Sequence, residues 1–414
     1  MRHAKKPNCF HFLLACAVLW LEVNFFLLHA QEPGPSREQI VVVGKLTGQD
    51  DPRQLTIQIN QTIFPLEGSA NARPFEFFRK NAQTLTVIFQ LPANETLAPP
   101  TAALDLRPRG VDFRFYQTER SLISALLLEE IDYANIDSET AAEEIQKTMP
   151  SYQIKPIEPD SNTVEMICYN FAHPLLRERA VRHALAYAVN REKMIRQILL
   201  NHADLARGPY EKESRFHASS AKGFDYNPKR AIALLEESGW RALNRERMRT
   251  RSGQSLRFRL LFPEGLILKE QIVRQIKIDW NQIGVDVIPV PVSAAALQDS
   301  LKRGRFDAAL VRHRFEESAQ SLIDFFGDGS GKGGFGYVNA GVLHTANLSK
   351  KLLEGNGARQ VALRMQTLMN DDQIATFLFH PWLTFHIFNT AKFENYFTQE
   401  GLRPYQQWII RRHP

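Results

Sequence analysis

The side chains of this 414-residue chain that could carry out chemistry are scattered rather than grouped. His380 and His386 lie in one apolar run, but a His-x5-His spacing does not place two imidazoles on one helix face for a metal. A partly buried histidine with a hydrogen-bond partner is the expected role of His380. His183 falls on a predicted helix, where packing is expected rather than general-base catalysis. Because no nucleophile is paired with a base, the sequence disfavours a hydrolase and predicts a non-enzymatic protein.

A glycine-rich stretch at 327–336 contains Lys332 and invites comparison with a phosphate-binding loop. The order G-x-x-x-x-G-K-[ST] is absent, so we predict instead a mobile loop near a ligand. Cys168 lies in an apolar, strand-like pattern, where a small buried side chain is expected rather than a reactive thiol. We therefore predict neither a cofactor nor a metal site.

Composition predicts a globular chain with two or three domain-sized units, since 44% of the residues are apolar. The formal net charge is +6, and the basic excess is spread along the chain. Scattered charge is typical of a solvated surface, so nucleic acid is not an expected partner.

Residues 1–30 have the pattern of a secretory signal peptide. Arg2, Lys5 and Lys6 precede an apolar run, and the residues ending at Ala30 resemble a small-residue cleavage site. Two alternatives stay open, namely lipidation at Cys16 and an uncleaved N-terminal anchor. Each predicts an exported protein that is periplasmic or extracellular.

The rest of the chain alternates between strand and helix patterns, which favours an α/β fold. The clearest unit begins at Asn227, a predicted N-cap, followed by Pro228 at the first helical position and Gly239 at the helix end. A strand at 256–262, a helix at 268–280 and a strand at 283–288 follow. This order predicts a crossover between two parallel strands.

A stretch at 170–191 is the most distinctive part of the sequence. Its apolar residues recur at helical spacing, and Asn190 suits the N-cap of a following helix. The run resembles the N-x-x-x-P and V-R-x-A-[LI]-x-[YH]-A-[IV]-[DN]-R segments of family 5 of the extracellular solute-binding proteins of ABC transporters. The matching residues are Asn170, Pro174, Val181, Arg182, Ala184, Leu185, Tyr187, Ala188, Val189, Asn190 and Arg191.

Four further segments resemble the same family in the same order. Residues 126–132 are similar to its A-L-x-x-G-E-I-D turn, with Glu129 in place of glycine, and 226–240 are similar to Y-N-P-x-x-A-x-x-L-L-x-E-A-G-W. Residues 283–285 and 304–307 are similar to I-G-[IV] and G-x-[FY]-D.

The resemblance implies an α/β, two-lobe fold of the periplasmic-binding-protein type (class II, cluster C) with a hinge. We expect a shortened N-terminal lobe at 31–160, a second lobe at 161–310, and a C-terminal part at 311–414 that crosses back to the first lobe. We expect the N-terminal lobe to be trimmed, because fewer residues precede Val111 than in typical family members.

The resemblance also implies a function: capture of a peptide-like solute between the lobes and its delivery to an ABC transporter permease. In the family's peptide binders G-W-x-x-D-Y follows the G-x-[FY]-D strand, and His313 and Glu316 stand at the Trp and Asp positions. We expect a monomer. The candidate ligand-binding residues are Glu316, His313, Arg312, Arg314, Asn170 and Tyr337.

Several alternatives stay open at this point. Glu316 could meet a solute amine, or pair with Arg312 or Arg314 at a surface turn. The added basic and titratable groups could instead favour an anionic solute, and His313 could contact a nickel chelate. The trimmed lobe also allows a degenerate relative that acts as a non-transport sensor or interaction module.

Overall fold

The computed structural model describes residues 40–46, 75–81, 84–89, 108, 110–158, 161–219, 223–332, 334–349, 355–398, 401–402 and 408–411. The predicted signal peptide and the alternatives at Cys16 lie outside these residues. None of the helices in the described ranges is both long enough and apolar enough to cross a membrane.

The first lobe is built on one sheet with the strand order β2-β3-β4-β1-β5-β16-β6, in which the late strand β16 (Thr384–Asn389) lies between β5 and β6. Strands β1, β4 and β5 run parallel, and the helices α1 and α2 follow β4 and β5. The elements of this lobe up to the first crossing are β1 (Ile40–Leu46), β2 (Phe75–Asn81), β3 (Thr84–Phe89), β4 (Gly110–Tyr116), α1 (Glu119–Leu127), β5 (Tyr133–Ile136), α2 (Glu139–Thr148) and β6 (Tyr152–Ile157).

The second lobe is built on a mixed sheet with the order β13-β12-β14-β7-β15-β8, and a small three-stranded sheet (β11-β10-β9) adjoins it. Its elements are β7 (Thr163–Tyr169), α3 (Arg179–Ala188), α4 (Arg191–Gln197), β8 (Ala203–Leu205), α5 (Pro228–Glu237), β9 (Ala242–Leu243), β10 (Arg249–Arg251), β11 (Gln254–Ser255), β12 (Arg257–Pro263), α6 (Ile267–Gln282), β13 (Asp286–Val292), α7 (Ala294–Arg303), β14 (Ala308–Arg314), α8 (Ala319–Phe326), α9 (Ala340–Ser349), α10 (Gly355–Asp371) and β15 (Ala375–Pro381).

The chain passes between the lobes twice. It leaves the first sheet after β6 and enters the second at β7, and it returns between β15 and β16. Of the segment predicted to cross back, 311–414, the part before residues 382–383 thus belongs to the second lobe, and β16, which follows them, belongs to the sheet of the first. Its remaining elements are β16 (Thr384–Asn389), β17 (Phe393–Glu394), β18 (Phe397–Thr398), β19 (Gly401–Leu402) and β20 (Ile409–Ile410).

Local sequence signals account for the predicted crossover. The Asn227 side chain accepts a hydrogen bond from the backbone of Arg230 at the start of α5, and Gly239 ends that helix with φ of 92°. Strands β12 and β13 pair in parallel across α6. The α/β prediction and the parallel pair are confirmed.

Each sheet separates two apolar layers, because successive strand residues face opposite sides. In the second sheet Ile167 and Leu310 belong to one buried cluster, while Met166 and Ala309 belong to the other. In the first sheet Val42 and Val43 divide in the same way. Helices therefore cover the second sheet on both faces and leave its strand ends to meet the first lobe.

Candidate functional site

The strand ends of the two lobes face each other. Asp137 directly follows β5 in the first lobe, and Arg312 lies near the carboxyl end of β14 in the second, with Nη1 2.7 Å from Asp137 Oδ2. In α/β sheets, ligands bind in the crevice outside the carboxyl ends of the strands. This interface between the lobes is therefore the candidate site.

One part of the interface joins the start of α1 to the start of α6. Glu119 is 1% exposed; its Oε2 accepts a hydrogen bond of 2.7 Å from the Ile267 backbone, and its own N–H donates to the Gly265 carbonyl at 2.7 Å. Burial raises the pKa of the Glu119 carboxyl to about 7. At the rim, Arg120 pairs with Glu270 at 2.7 Å.

A second contact lies at the start of α2. His202 Nδ1 of the second lobe is 2.5 Å from Glu139 Oε1 of the first. Close to the second crossing, the Trp382 indole donates to Asp204 Oδ2 at 2.7 Å. The contact between His202 and Glu139 shows that the lobes touch directly on this side of the interface.

Behind Arg312 lies a second ion pair that is wholly internal to the second lobe. Glu165 on β7 is fully buried and accepts a hydrogen bond from Lys269 on α6; the same carboxylate oxygen lies 3.2 Å from Arg312 Nε. With Asp137, this charged cluster has two cations and two anions. Burial alone would raise the pKa of Asp137, but the charges of Arg312 and Lys269 outweigh burial and lower it.

Four of the predicted site residues lie at this end of the second sheet. His313 packs against the rings of Phe315 and Phe325, with centroids 4.6 and 4.3 Å away. Burial lowers the pKa of His313 to about 4, so it is neutral near pH 7. Arg314 and Glu316 are exposed.

The Glu316 carboxylate has no ion-pair partner among the described residues. Its backbone is held in place, since Glu316 N–H donates to Ser321 Oγ at 3.0 Å and Tyr210 Oη–H donates to the Glu316 carbonyl. Arg312 was one of the two suggested partners of the Glu316 carboxylate, but it forms ion pairs with Asp137 and Glu165 instead.

Asn170 and Tyr337 lie at the other end of the second sheet. The Asn170 amide donates to the Phe306 carbonyl at 2.6 Å, and Tyr337 Oη–H donates to Asp372 at 2.9 Å. Asn170 follows β7, whose first residue Thr163 faces the first lobe, so the two ends are roughly 23 Å apart. The six predicted residues therefore do not form one cluster.

The glycine-rich stretch also lies at that far end. The Phe171 N–H donates to the Phe335 carbonyl at 2.8 Å, and a Cβ on Gly304, at the end of α7, would lie 2.7 Å from the Gly334 carbonyl oxygen. These contacts place this part of the loop at the end of the second sheet opposite the lobe interface, and its position near a ligand stays a prediction. It packs against the distal end of the second lobe because it follows α8, which runs away from the interface.

The sequence reasoning missed Asp137, Glu165, Lys269 and Glu119. A signal for two of them was present, because Glu165 interrupts an apolar strand and Lys269 stands one turn before the apolar Ile272 and Val273 of α6. A charged residue at a position that periodicity assigns to the core needs a buried partner. The identity of that partner is not encoded locally.

Two small cavities lie inside the second lobe rather than between the lobes. Each measures about 10 Å³, and they share the lining residues Arg207, Asn370 and Phe377. That volume is at the lower limit for one water molecule. In the described ranges no group of three or more His, Cys, Asp or Glu side chains is arranged to hold a metal ion.

Sequence comparison relates the chain to transport proteins that bind solutes. It is 30% identical over 165 residues to the nickel-binding periplasmic protein of Escherichia coli (strain K12), covering 40% of this chain and 31% of that protein. It is 25% identical over 224 residues to the oligopeptide-binding protein AppA of Bacillus subtilis (strain 168), covering 52% of this chain and 41% of that one. The chain thus spans less than half the length of these curated relatives.

Solved structures share the two-lobe fold. AppA from Bacillus subtilis in complex with a nonapeptide matches with a TM-score of 0.65 and 21% identity, covering 82% of this chain and 66% of that one. NikZ from Campylobacter jejuni in complex with Ni(L-His) matches with a TM-score of 0.61 and 17% identity, covering 81% and 67%. The chain spans about two thirds of the length of each of these structures.

The family model for bacterial extracellular solute-binding proteins, family 5 (middle part), matches residues 105–332, more than half of the chain. That range includes the run at 170–191 and both sides of the charged cluster. The protein belongs to family 5 of the bacterial extracellular solute-binding proteins, whose members are solute-binding components of ABC transporters and not enzymes.

Proposed function

We propose that the protein captures a peptide-like solute between its two lobes and delivers it to an ABC transporter permease. The observation that carries this proposal is the open edge of β14. Strand β12 pairs with β14 only through Leu260↔Ala308 and Leu261↔Ala309, while β7 pairs along the whole of its other edge.

From Leu310 to His313, one edge of β14 therefore has no strand partner among the described residues. This part of the strand lies at the end that faces the first lobe. An extended peptide can add its backbone to such an edge through main-chain hydrogen bonds. The geometry favours a solute with a peptide backbone over a compact one.

The charges nearby favour a solute that carries an ammonium group. Glu316 presents an exposed carboxylate two residues beyond β14. Arg312 is neutralised by Asp137 and Glu165, and His313 is uncharged near pH 7. Two of the three groups that could attract an anionic solute are therefore not available as free positive charges. The Glu316 carboxylate, in contrast, can pair with the ammonium group of a peptide N-terminus.

Thermal unfolding with short peptides tests this proposal. A pool of tripeptides with free N-termini should raise the unfolding midpoint, because a ligand that binds only the folded state stabilises it. The same pool with acetylated N-termini should raise the midpoint less. Glu316→Gln should weaken binding of the free-amine pool about tenfold, on the order of one charge-assisted hydrogen bond.

Glu317→Gln is the matched control, because the neighbouring carboxylate is paired with Arg215 and Ser214 instead of being open. An equal loss of peptide affinity in both variants would show that Glu316 has no specific role in binding the solute. A rise of the unfolding midpoint with a sugar or with nickel–histidine, but not with peptides, would support solute capture. It would contradict a peptide as the solute.

A second function, that of a non-transport sensor or interaction module, is favoured by the direct contacts between the lobes. Glu119 and Asp137 of the first lobe contact the Ile267 backbone and the Arg312 side chain of the second lobe directly. No stabilisation by peptides, sugars or metal chelates would favour this alternative. For either function we place the protein outside the cytoplasm as a monomer.

A further inference from the structure

Arg312 has an unusual position for a cation. It lies on a strand whose preceding residues, Leu310 and Val311, are buried, and its guanidinium extends from the second lobe to Asp137 of the first. Both side chains are about one-fifth exposed, at 22% and 21%. The ion pair thus closes the gap between the lobes at the edge of β14 where the proposed solute would lie.

The second lobe holds Arg312 in this orientation. Glu165 lies on the neighbouring strand and contacts Arg312 Nε at 3.2 Å, which leaves Nη1 to reach Asp137. Lys269 binds the same Glu165 oxygen from α6 and is 4% exposed. Because Glu165 and Lys269 are buried and hydrogen-bonded to each other, neither can swing away without leaving a buried charge unpaired.

The charge balance of this cluster depends on the lobes being closed. Arg312, Lys269 and Glu165 together have a net charge of +1 within the second lobe, and Asp137 of the first lobe brings the total to zero. Separating the lobes leaves the excess positive charge without its counterion. The charges of these four side chains therefore favour the closed arrangement of the lobes.

We propose that Arg312 and Asp137 form a latch that holds the two lobes together in the absence of solute, with Glu165 and Lys269 as its positioning residues. A solute can enter the gap only when the ion pair between Arg312 and Asp137 is broken, either by the solute itself or by spontaneous separation of the lobes. The latch thus makes the closed state a property of the unliganded protein, and its existence does not depend on which solute is bound.

Small-angle X-ray scattering of the full chain without added solute tests the latch. Asp137→Asn leaves the positive charge of the cluster uncompensated, so the radius of gyration should increase relative to the wild type. Arg312→Gln should increase it as well, and the double variant should match the larger single effect rather than their sum, because both changes break one contact.

Arg120→Gln is the control. Arg120 also pairs across the lobes, with Glu270, but its side chain is 60% exposed at the rim, so its loss should leave the radius of gyration unchanged. Circular dichroism of each variant checks that the lobes stay folded, and Asp137→Asn is the safer variant because Asp137 follows β5 rather than lying within a strand.

A radius of gyration unchanged in both Asp137→Asn and Arg312→Gln would overturn the latch, as would an equal increase in Arg120→Gln. Since no solute is present, these outcomes are independent of whether peptides bind. If no peptide raises the unfolding midpoint but Asp137→Asn has a larger radius of gyration than the wild type, the latch is supported. Only the proposed class of solute is then rejected.

Discussion

Arg312 Nη1 of the second lobe lies 2.7 Å from Asp137 Oδ2 of the first, although 175 positions separate the two residues in the chain. The contact forms because β5 and β14 end at facing edges of two different sheets. It places a charged pair beside the open edge of β14, where we propose that a peptide-like solute binds. Closure of the lobes and access to the candidate site therefore involve the same residues.

Replacement of Arg182 by Leu should destabilise the second lobe by about 3 kcal/mol, because it leaves several buried carbonyls without donors. Arg182 is 2% exposed, and its guanidinium donates to the carbonyls of Asp372, Gln373 and Leu176. Urea unfolding followed by circular dichroism measures this loss.

Arg179→Ala is the control for that experiment, since Arg179 lies one helical turn earlier, donates to the Asp371 carbonyl and has a side chain that is 60% exposed. Its loss should cost less than about 1 kcal/mol. Equal destabilisation by the two changes would contradict a special role for Arg182 in the family's signature run.

Glu119 should make the stability of the protein depend on pH. Burial raises its pKa from 4.5 to about 7, so the folded protein binds a proton more tightly than the unfolded chain does. The contribution of Glu119 to stability is then complete below pH 4.5 and is lost as the pH rises through 7, with a maximum change of about 3 kcal/mol.

The measurement is the free energy of unfolding of the wild type and of Glu119→Gln at pH 4.5 and at pH 8. The glutamine keeps an acceptor for the Ile267 N–H but does not ionise, so the variant should gain stability relative to the wild type as the pH rises. A difference between the two proteins that is the same at both pH values would refute the role of Glu119.

Gly304→Ala should destabilise the protein by about 2 kcal/mol. Gly304 ends α7 with φ of 65°, and an added Cβ would lie 2.7 Å from the Gly334 carbonyl oxygen. Both the backbone conformation and the contact oppose a side chain. Thermal unfolding monitored by fluorescence provides the comparison.

Gly253→Ala separates the two effects, because Gly253 has φ of 80° but, its chain neighbours aside, no atom of the described residues lies within 4 Å of its added Cβ. Its cost should be limited to the backbone strain, about 1 kcal/mol. If Gly304→Ala were no worse than Gly253→Ala, the packing of the glycine-rich stretch against α7 would not contribute to stability.

The local parts of the fold were predictable from the sequence. Asn190 and Asn227 cap their helices as expected, and Cys168 is buried. His380 is buried with Nδ1 3.0 Å from the Thr163 carbonyl oxygen, which confirms a partnered histidine. These features depend on residues close in sequence or on burial alone, and both are visible in hydrophobic periodicity.

The arrangement of the site was not predictable in the same way. Asp137, Glu165, Lys269 and Arg312 come from four separate segments, and no spacing along the chain relates them. Tyr337 and Asn170 match family motifs, and in the structure they hydrogen-bond to Asp372 and to the Phe306 carbonyl at the far end of the second lobe. A sequence match identifies the scaffold, whereas the charges that meet between lobes depend on the topology.

Native mass spectrometry of the full chain after incubation with free-amine tripeptides tests the central claim, solute capture between the lobes, most directly. The account predicts a complex with one peptide per protein that is weakened in Glu316→Gln and retained in Glu317→Gln. A protein that carries no peptide, sugar or nickel–histidine at millimolar concentrations of each would contradict it.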